Sequence, residues 1–381
     1  MKIIVFLFGL LICTIVPREV FCTSRGGAPT DAKPSPTFVN PIRDGADPWV
    51  MKLGDKYYTC RSGRQKIIVT ESRFLTRPER SEIAFDFAQA AAENPELAWT
   101  AYTIWAPELH YIDGKWYIFY AGGERNINKP PYTWQRAGVL VGDSPFGPFE
   151  CRRLFTGDDP EQRPENDIWG IDMTHLEIDG KHYAVWSGWP EQVDDNSQDQ
   201  LLYIAEITQL GKNMKLGKRH LLAKPEESWE VKAGGEWISL VEGASELRHG
   251  DDIFIVYSTR GSWAENYRMG LLKLIDRSNP LDIRSWEKHG PVFIDNDPND
   301  EAFGVGHASY TTSPDGRENW IMYHSKKART GGWQREVYLK PFTFDSVSGL
   351  PLFGKPVGKG ALQRPSGEYE LEKKLSTADS E

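Results

Sequence analysis

The chain has 381 residues and a formal charge of −9, from 45 basic and 54 acidic side chains. That balance argues against a nucleic-acid binder, which carries a basic face. With 12 % aromatic residues, 35 Gly and 25 Pro, the composition excludes collagen and bulk disorder and describes a turn-rich, β-leaning globular protein.

At the N-terminus, Lys2 precedes an apolar run from Ile3 to Val16 that Pro17 and Arg18 close. The run is too short to span a bilayer. A basic start, a short apolar core and a polar exit predict a secretory signal peptide over residues 1–22, with cleavage between Cys22 and Gly27. An uncleaved anchor is the competing reading. The expected compartment is extracellular or periplasmic, with no membrane in the mature form. Residues 23–37, rich in Gly, Pro, Ser and Thr, read as a flexible leader, and residues 361–381 as a solvated tail. Of the four cysteines, Cys60 and Cys151 remain after cleavage. An oxidising compartment permits a disulfide between them, and two buried thiols fit equally well.

Between leader and tail one phrase recurs five times: ADPWVMKLGDKYYTC, WAPELHYIDGKWYIFYAG, IDMTHLEIDGKHYAVWSG, EGASELRHGDDIFIVYST and GHASYTTSPDGRENWIMYHS. Each reads as a strand, a tight Gly turn and a second strand alternating aromatic and aliphatic residues. The turn glycines fall at Gly54, Gly114, Gly180, Gly250 and Gly316. Their spacing accommodates four strands with generous loops, so residues 38–360 are expected to form an all-β, five-bladed β-propeller. An irregular β-sandwich would repeat hairpins without a steady period. The Ala-rich stretch after the first phrase, SEIAFDFAQAAAENPELAW, is expected to hold a short helix.

Counting back from the turn glycines places Asp47, Asp172, Glu242 and His307 near the start of four first strands, where the second phrase has Trp105, Ala106 and Pro107. The innermost strands of a propeller run side by side around its axis, so equal positions become a ring at one mouth. An Asp before Pro is ordinarily a turn starter and a Trp ordinarily packing. The shared position is what raises these residues above that. Clustered carboxyls raise some pKa values and lower others, which glycosidic cleavage requires of its acid and base. Trp49, Trp105, Trp169 and Trp189 lie near the phrases and are candidates to stack on a sugar ring.

In this order the motifs ADPWV, IWAPELHYIDGKWYIFYAG, VWSGW, VEGASELRHGDDIFIVYS and GHASYTTSPDGRENWIMYH resemble glycoside hydrolase family 43, from about Asn40 to Val357. The family comprises five-bladed arabinofuranosidases, xylosidases and arabinanases, and DIWGID, VWSGW and GLLKL are most similar to its secreted α-L-arabinofuranosidase branch. The resemblance implies an inverting hydrolase with Asp47 as general base, Glu242 as general acid and Asp172 as the carboxylate that orients the acid and keeps its pKa high. It implies that Arg335, in GGWQREVY, reaches the substrate. It also implies that His307 helps hold a hydrated calcium ion in the channel, with no cofactor required. The expectation is a secreted monomer that releases terminal α-L-arabinofuranosyl residues from plant-type or algal polysaccharide or oligosaccharides. A β-xylosidase or other exo-glycosidase of the same family, and a non-catalytic carbohydrate-binding propeller, are the competing readings. Met173 and Ala244 depart from the branch pattern beside Asp172 and Glu242, which is expected to alter the pocket and the sugar it takes.

Overall fold

Each of the five phrases folds as an inner strand, a tight turn and a second strand, and each blade adds two or more outer antiparallel strands. A computed structural model describes residues 35–124, 132–294, 302–329 and 332–378. The expected signal peptide and all but the end of the leader lie outside the described residues. No helix of the described residues is long and apolar enough to cross a membrane.

The inner strands are Trp49–Leu53, Thr103–Ile112, Gly170–Ile178, Val241–His249 and Gly306–Thr312. Each touches the next, and the fifth touches the first, so the protein is a closed five-bladed β-propeller. The turn glycines all take left-handed backbone, from φ +57 at Gly250 to +79 at Gly114. No neighbour crowds any of them, so backbone conformation alone selects glycine there. Asp113 and Asp179 are left-handed as well, giving the type I′ turns whose twist suits a two-residue hairpin.

Five apolar cores sit between consecutive blades. Leu109 and Ile118 of the second blade pack on Ile67 and Val69 of the first. Val256 and Leu271 of the fourth meet Ile321 and Tyr338 of the fifth. Alternating aromatic and aliphatic residues on both faces are what such sheet-on-sheet packing needs. Met173 lies wholly inside the core between the second and third blades, and Ala244 inside the one between the third and fourth. The expectation that these two reshape the pocket is therefore corrected: their side chains face neighbouring blades. Trp49 is likewise core, its ring tilted at 40° against His110 and its indole N–H donated to Leu109 O at 2.7 Å.

The ring is closed by the N-terminal part of the fold. Arg43–Asp44 pairs with Arg335–Phe344 as an outer strand of the fifth blade. Asn40, almost fully buried, exchanges two side-chain hydrogen bonds with the Leu339 backbone, at 2.7 and 3.0 Å. The expected leader and tail boundaries are corrected here. Thr37–Asn40 pairs with Gly360–Gln363 in a two-stranded ribbon, and Glu368–Ala378 is a helix rather than a solvated tail. The carboxylate of its first residue, Glu368, is wholly buried, accepting the Leu75 amide at 3.0 Å and the Thr76 hydroxyl. The Ala-rich stretch forms the expected helix, Phe87–Glu93, capped by Asp86. Cys60 and Cys151 are free thiols, the first bonded to Pro107 O and the second to the Tyr120 hydroxyl.

Candidate active site

One residue at the start of each inner strand takes left-handed backbone: Asp47, Ala106, Asp172, Gly243 and His307, with φ between +41 and +59. In blades two to five it coincides with a slip in strand register. Such a bulge re-aims side chains, and a non-glycine residue held there stores about 1–3 kcal/mol of strain, a pattern that clusters at functional sites. Asp47, Asp172 and His307 are thus turned to the axis at equivalent positions.

Glu242 does not share that position. Gly243 occupies it in the fourth blade, and Glu242 stands one residue earlier, where other blades have Trp105, Ile171 and Gly306. The distance from bulge to turn glycine varies by one or two residues between blades, so counting back from the turn misplaces it. Glu242 still converges with Asp47, Asp172 and His307 on one cleft of about 380 Å³.

The three carboxyl groups are held in different states. Burial alone would raise Asp47, but the Arg335 guanidinium, 3.5 Å away, and the His307 imidazole, 3.3 Å away, outweigh it and hold that carboxyl well below the carboxylate range. Asp172 is pushed up to about 7 by burial and by the nearby charges of Glu242 and Asp47. The Gly243 amide donates to its Oδ2 at 3.0 Å. Glu242 is pushed up to about 7 by burial, with Asp47 adding to the rise, against a hydrogen bond from the Tyr267 hydroxyl at 3.0 Å. One carboxylate that stays ionised beside a carboxyl that keeps its proton is the arrangement an acid–base pair needs.

The cleft walls are aromatic. Trp105 meets Tyr132 at 5.1 Å, and Trp169 stacks on Trp189 at 4.8 Å. Trp169 and Trp189 are both almost fully buried, so the stacked pair forms the floor of that wall and presents little surface. Arg335 lines the same cleft. All the residues expected at the site are therefore brought together, apart from the core residue Trp49.

The model of the family described as Glycosyl hydrolases family 43 matches residues 38–347. This chain belongs to that family. It is 27 % identical to the extracellular exo-α-(1→5)-L-arabinofuranosidase of Streptomyces avermitilis, over 94 % of this chain and 71 % of the relative. It is 29 % identical to α-L-arabinofuranosidase 43 of Humicola insolens, over 78 % of this chain and 58 % of that one. Among solved structures, the α-L-arabinofuranosidase from Lactobacillus brevis superposes with a TM-score of 0.68 at 29 % identity, covering 85 % of this chain and 98 % of that chain. As a family 43 member the protein is a glycoside hydrolase, acting on O-glycosyl bonds of a polysaccharide or oligosaccharide substrate.

Several site residues escaped the sequence. His324, fully buried, accepts the Asp47 amide on Nδ1 at 3.1 Å. Its ring stacks on Tyr267 at 5.5 Å and 8°. His324 lies on a second strand and Tyr267 just before a third, outside the inner ring that the repeat singled out. Tyr132, Trp237, Trp263 and Trp333 also line the cleft. The readable signal for the last three was a Trp within two residues of a Gly in a loop joining strands.

Among the described residues no cluster of three or more His, Cys, Asp or Glu side chains is arranged to hold a metal. His307 commits Nδ1 to Asp47, leaving a single imidazole nitrogen. That donor set does not fit a calcium ion ligated directly by the protein, which takes about six to eight oxygens.

Proposed function

We propose that the protein is a secreted, inverting, exo-acting α-L-arabinofuranosidase that releases terminal α-L-arabinofuranosyl residues from polysaccharide or oligosaccharides. The observation that carries this reading is the opposite displacement of the Asp47 and Glu242 carboxyls within one aromatic-walled cleft. Relatives named as extracellular exo-arabinofuranosidases support the sugar, the terminal action and the compartment.

In this mechanism Asp47, ionised, takes a proton from water as its oxygen attacks the anomeric carbon. Glu242 gives its proton to the glycosidic oxygen as the carbon–oxygen bond breaks. Attack and departure occur on opposite faces of the ring, so the configuration inverts. Burial raises Asp172 as it raises Glu242, and the hydrogen bond that Asp172 accepts from Gly243 fixes the backbone that carries Glu242. Arg335 and His307 keep Asp47 ionised.

The test follows the initial anomer of released sugar by NMR on aryl α-L-arabinofuranosides, aryl β-D-xylosides and linear arabinan, for wild type and Glu242→Gln. Inverted arabinose from wild type, lost in the variant most severely with poor leaving groups, is the expected result. Retained configuration overturns the mechanism, and release of xylose alone overturns the sugar.

A further inference from the structure

Three tryptophans outside the expected set form a platform at the cleft mouth. Trp237 and Trp263 stack at 4.1 Å and 10°, and Trp333 leans on Trp263 at 5.4 Å and 56°. Trp237 and Trp333 remain 51 % and 56 % exposed, and contiguous exposed aromatic surface of this kind marks a binding site. The platform is continuous with the reacting groups. The Arg335 guanidinium lies 5.9 Å from the Trp333 ring and 3.5 Å from Asp47.

The surrounding chain holds these rings in place. Glu236, beside Trp237, accepts the Gly261 amide at 2.8 Å and pairs with Arg260 at 3.4 Å, tying the Trp237 loop to the Trp263 loop. Lys232 donates to Trp237 O, and the nearly buried Lys326 to Trp263 O. Gly261 leaves room for the indole to fold back, since a Cβ there would lie 2.3 Å from the Trp263 ring. Rigid aromatic surface that needs no ordering on contact favours binding.

We propose that Trp237, Trp263 and Trp333 form a subsite for glycosyl residues on the leaving-group side of the scissile bond, selecting a polysaccharide chain over a short glycoside. This rests on the reading of Glu242 as the acid. The departing oxygen is the one Glu242 protonates, and Trp237 and Trp263 lie on the loops before and within that residue's own blade. Trp237 precedes the Glu242 strand, and Trp263 follows the strand whose Ser258 pairs with Glu242. The apolar faces of successive sugar rings match indole surface, and Asn196, Gln200 and Ser262 along the same cleft offer partners for their hydroxyls.

Two measurements test it. In the first, Glu242→Gln with and without Trp237→Ala and Trp333→Ala is run by affinity electrophoresis through gels containing linear arabinan or arabinoxylan. Retardation by at least one polysaccharide, weakened about ten-fold or more by the two Trp changes, is the expected result. In the second, kcat/KM of the Trp variants on linear arabinan falls about ten-fold or more beyond their loss on an aryl arabinofuranoside, with partial recovery in the Trp→Phe variants. No retardation, or equal losses on polymer and aryl glycoside, overturns the proposal. If wild type releases no arabinose yet Trp-dependent retardation persists, the platform stands and the arabinofuranosidase reading falls.

Discussion

The Tyr267 hydroxyl donates to Oε1 of Glu242 at 3.0 Å, while the same ring lies flat on His324, which accepts the Asp47 amide. The two groups assigned as acid and base are therefore joined by one stacked pair. Glu242 is raised by burial and restrained by this hydrogen bond. The acid must carry its proton, so kcat/KM falls as pH rises through about 7, with Asp172 titrating as a coupled neighbour. Tyr267→Phe removes a bond that favours the ionised carboxylate, so Glu242 rises further and the alkaline limb of the pH–rate profile moves to higher pH. A limb that stays in place or moves down refutes the assignment of that limb to Glu242.

On the acid side the logic reverses. Asp47 must be ionised to act, and Arg335 and His307 hold it well below the carboxylate range despite burial. Wild type should show no acid limb between about pH 4 and 6. Arg335→Gln removes the largest charge opposing the burial effect, so the Asp47 pKa rises and an acid limb enters the measured range. Arg335 also lines the cleft, and the overall rate falls too; the position of the limb, read from kcat/KM against pH, separates the two effects.

Gly243 meets three demands at once. Its φ is +59, its amide holds Asp172, and a Cβ would come within 3.0 Å of the His307 ring. Gly243→Ala is expected to cost about 1–2 kcal/mol in unfolding free energy from backbone strain alone. The displaced imidazole, which contacts Asp47 at 3.3 Å, should lower kcat more than stability loss explains. Urea unfolding and kcat at a temperature where the variant is fully folded check both parts.

The five-fold repeat was legible because each turn glycine needs positive φ and each hairpin needs alternation, demands that act within a dozen residues. Asp47, Asp172 and His307 were legible for the same reason. The one-residue offset of Glu242 was not, because the turn glycine is the second turn residue at Asp179-Gly180 but the first at Gly250-Asp251, so counting from glycine shifts the register by one. His324 and Tyr267 were invisible because they reach the site from a second strand and from the loop before a third, by contacts made only when the ring closes. The departures at Met173 and Ala244 misled, since both lie inside the bulges at Ile171/Thr174 and Glu242/Ser245, where closeness in sequence to a catalytic residue does not put a side chain in the cleft, and both enter an inter-blade core.

The C-terminal helix was missed for a related reason: its anchor is polar. SGEYELEKKLSTADSE has no apolar period, so pattern reading finds no face to bury. Yet Glu368 is buried against Leu75 and Thr76, and Glu372 pairs with Arg364 at 2.6 Å and Arg77 at 3.3 Å. Glu368→Ala leaves the Leu75 amide and the Thr76 hydroxyl without that acceptor, which should cost about 1–3 kcal/mol. No residue of this helix lines the cleft, so kcat/KM on aryl glycosides should stay unchanged while the urea midpoint falls. Deleting residues 364–381 should lower the midpoint further, because it also removes both arginine pairings. An unaltered midpoint in both variants would mean that the segment is solvated after all.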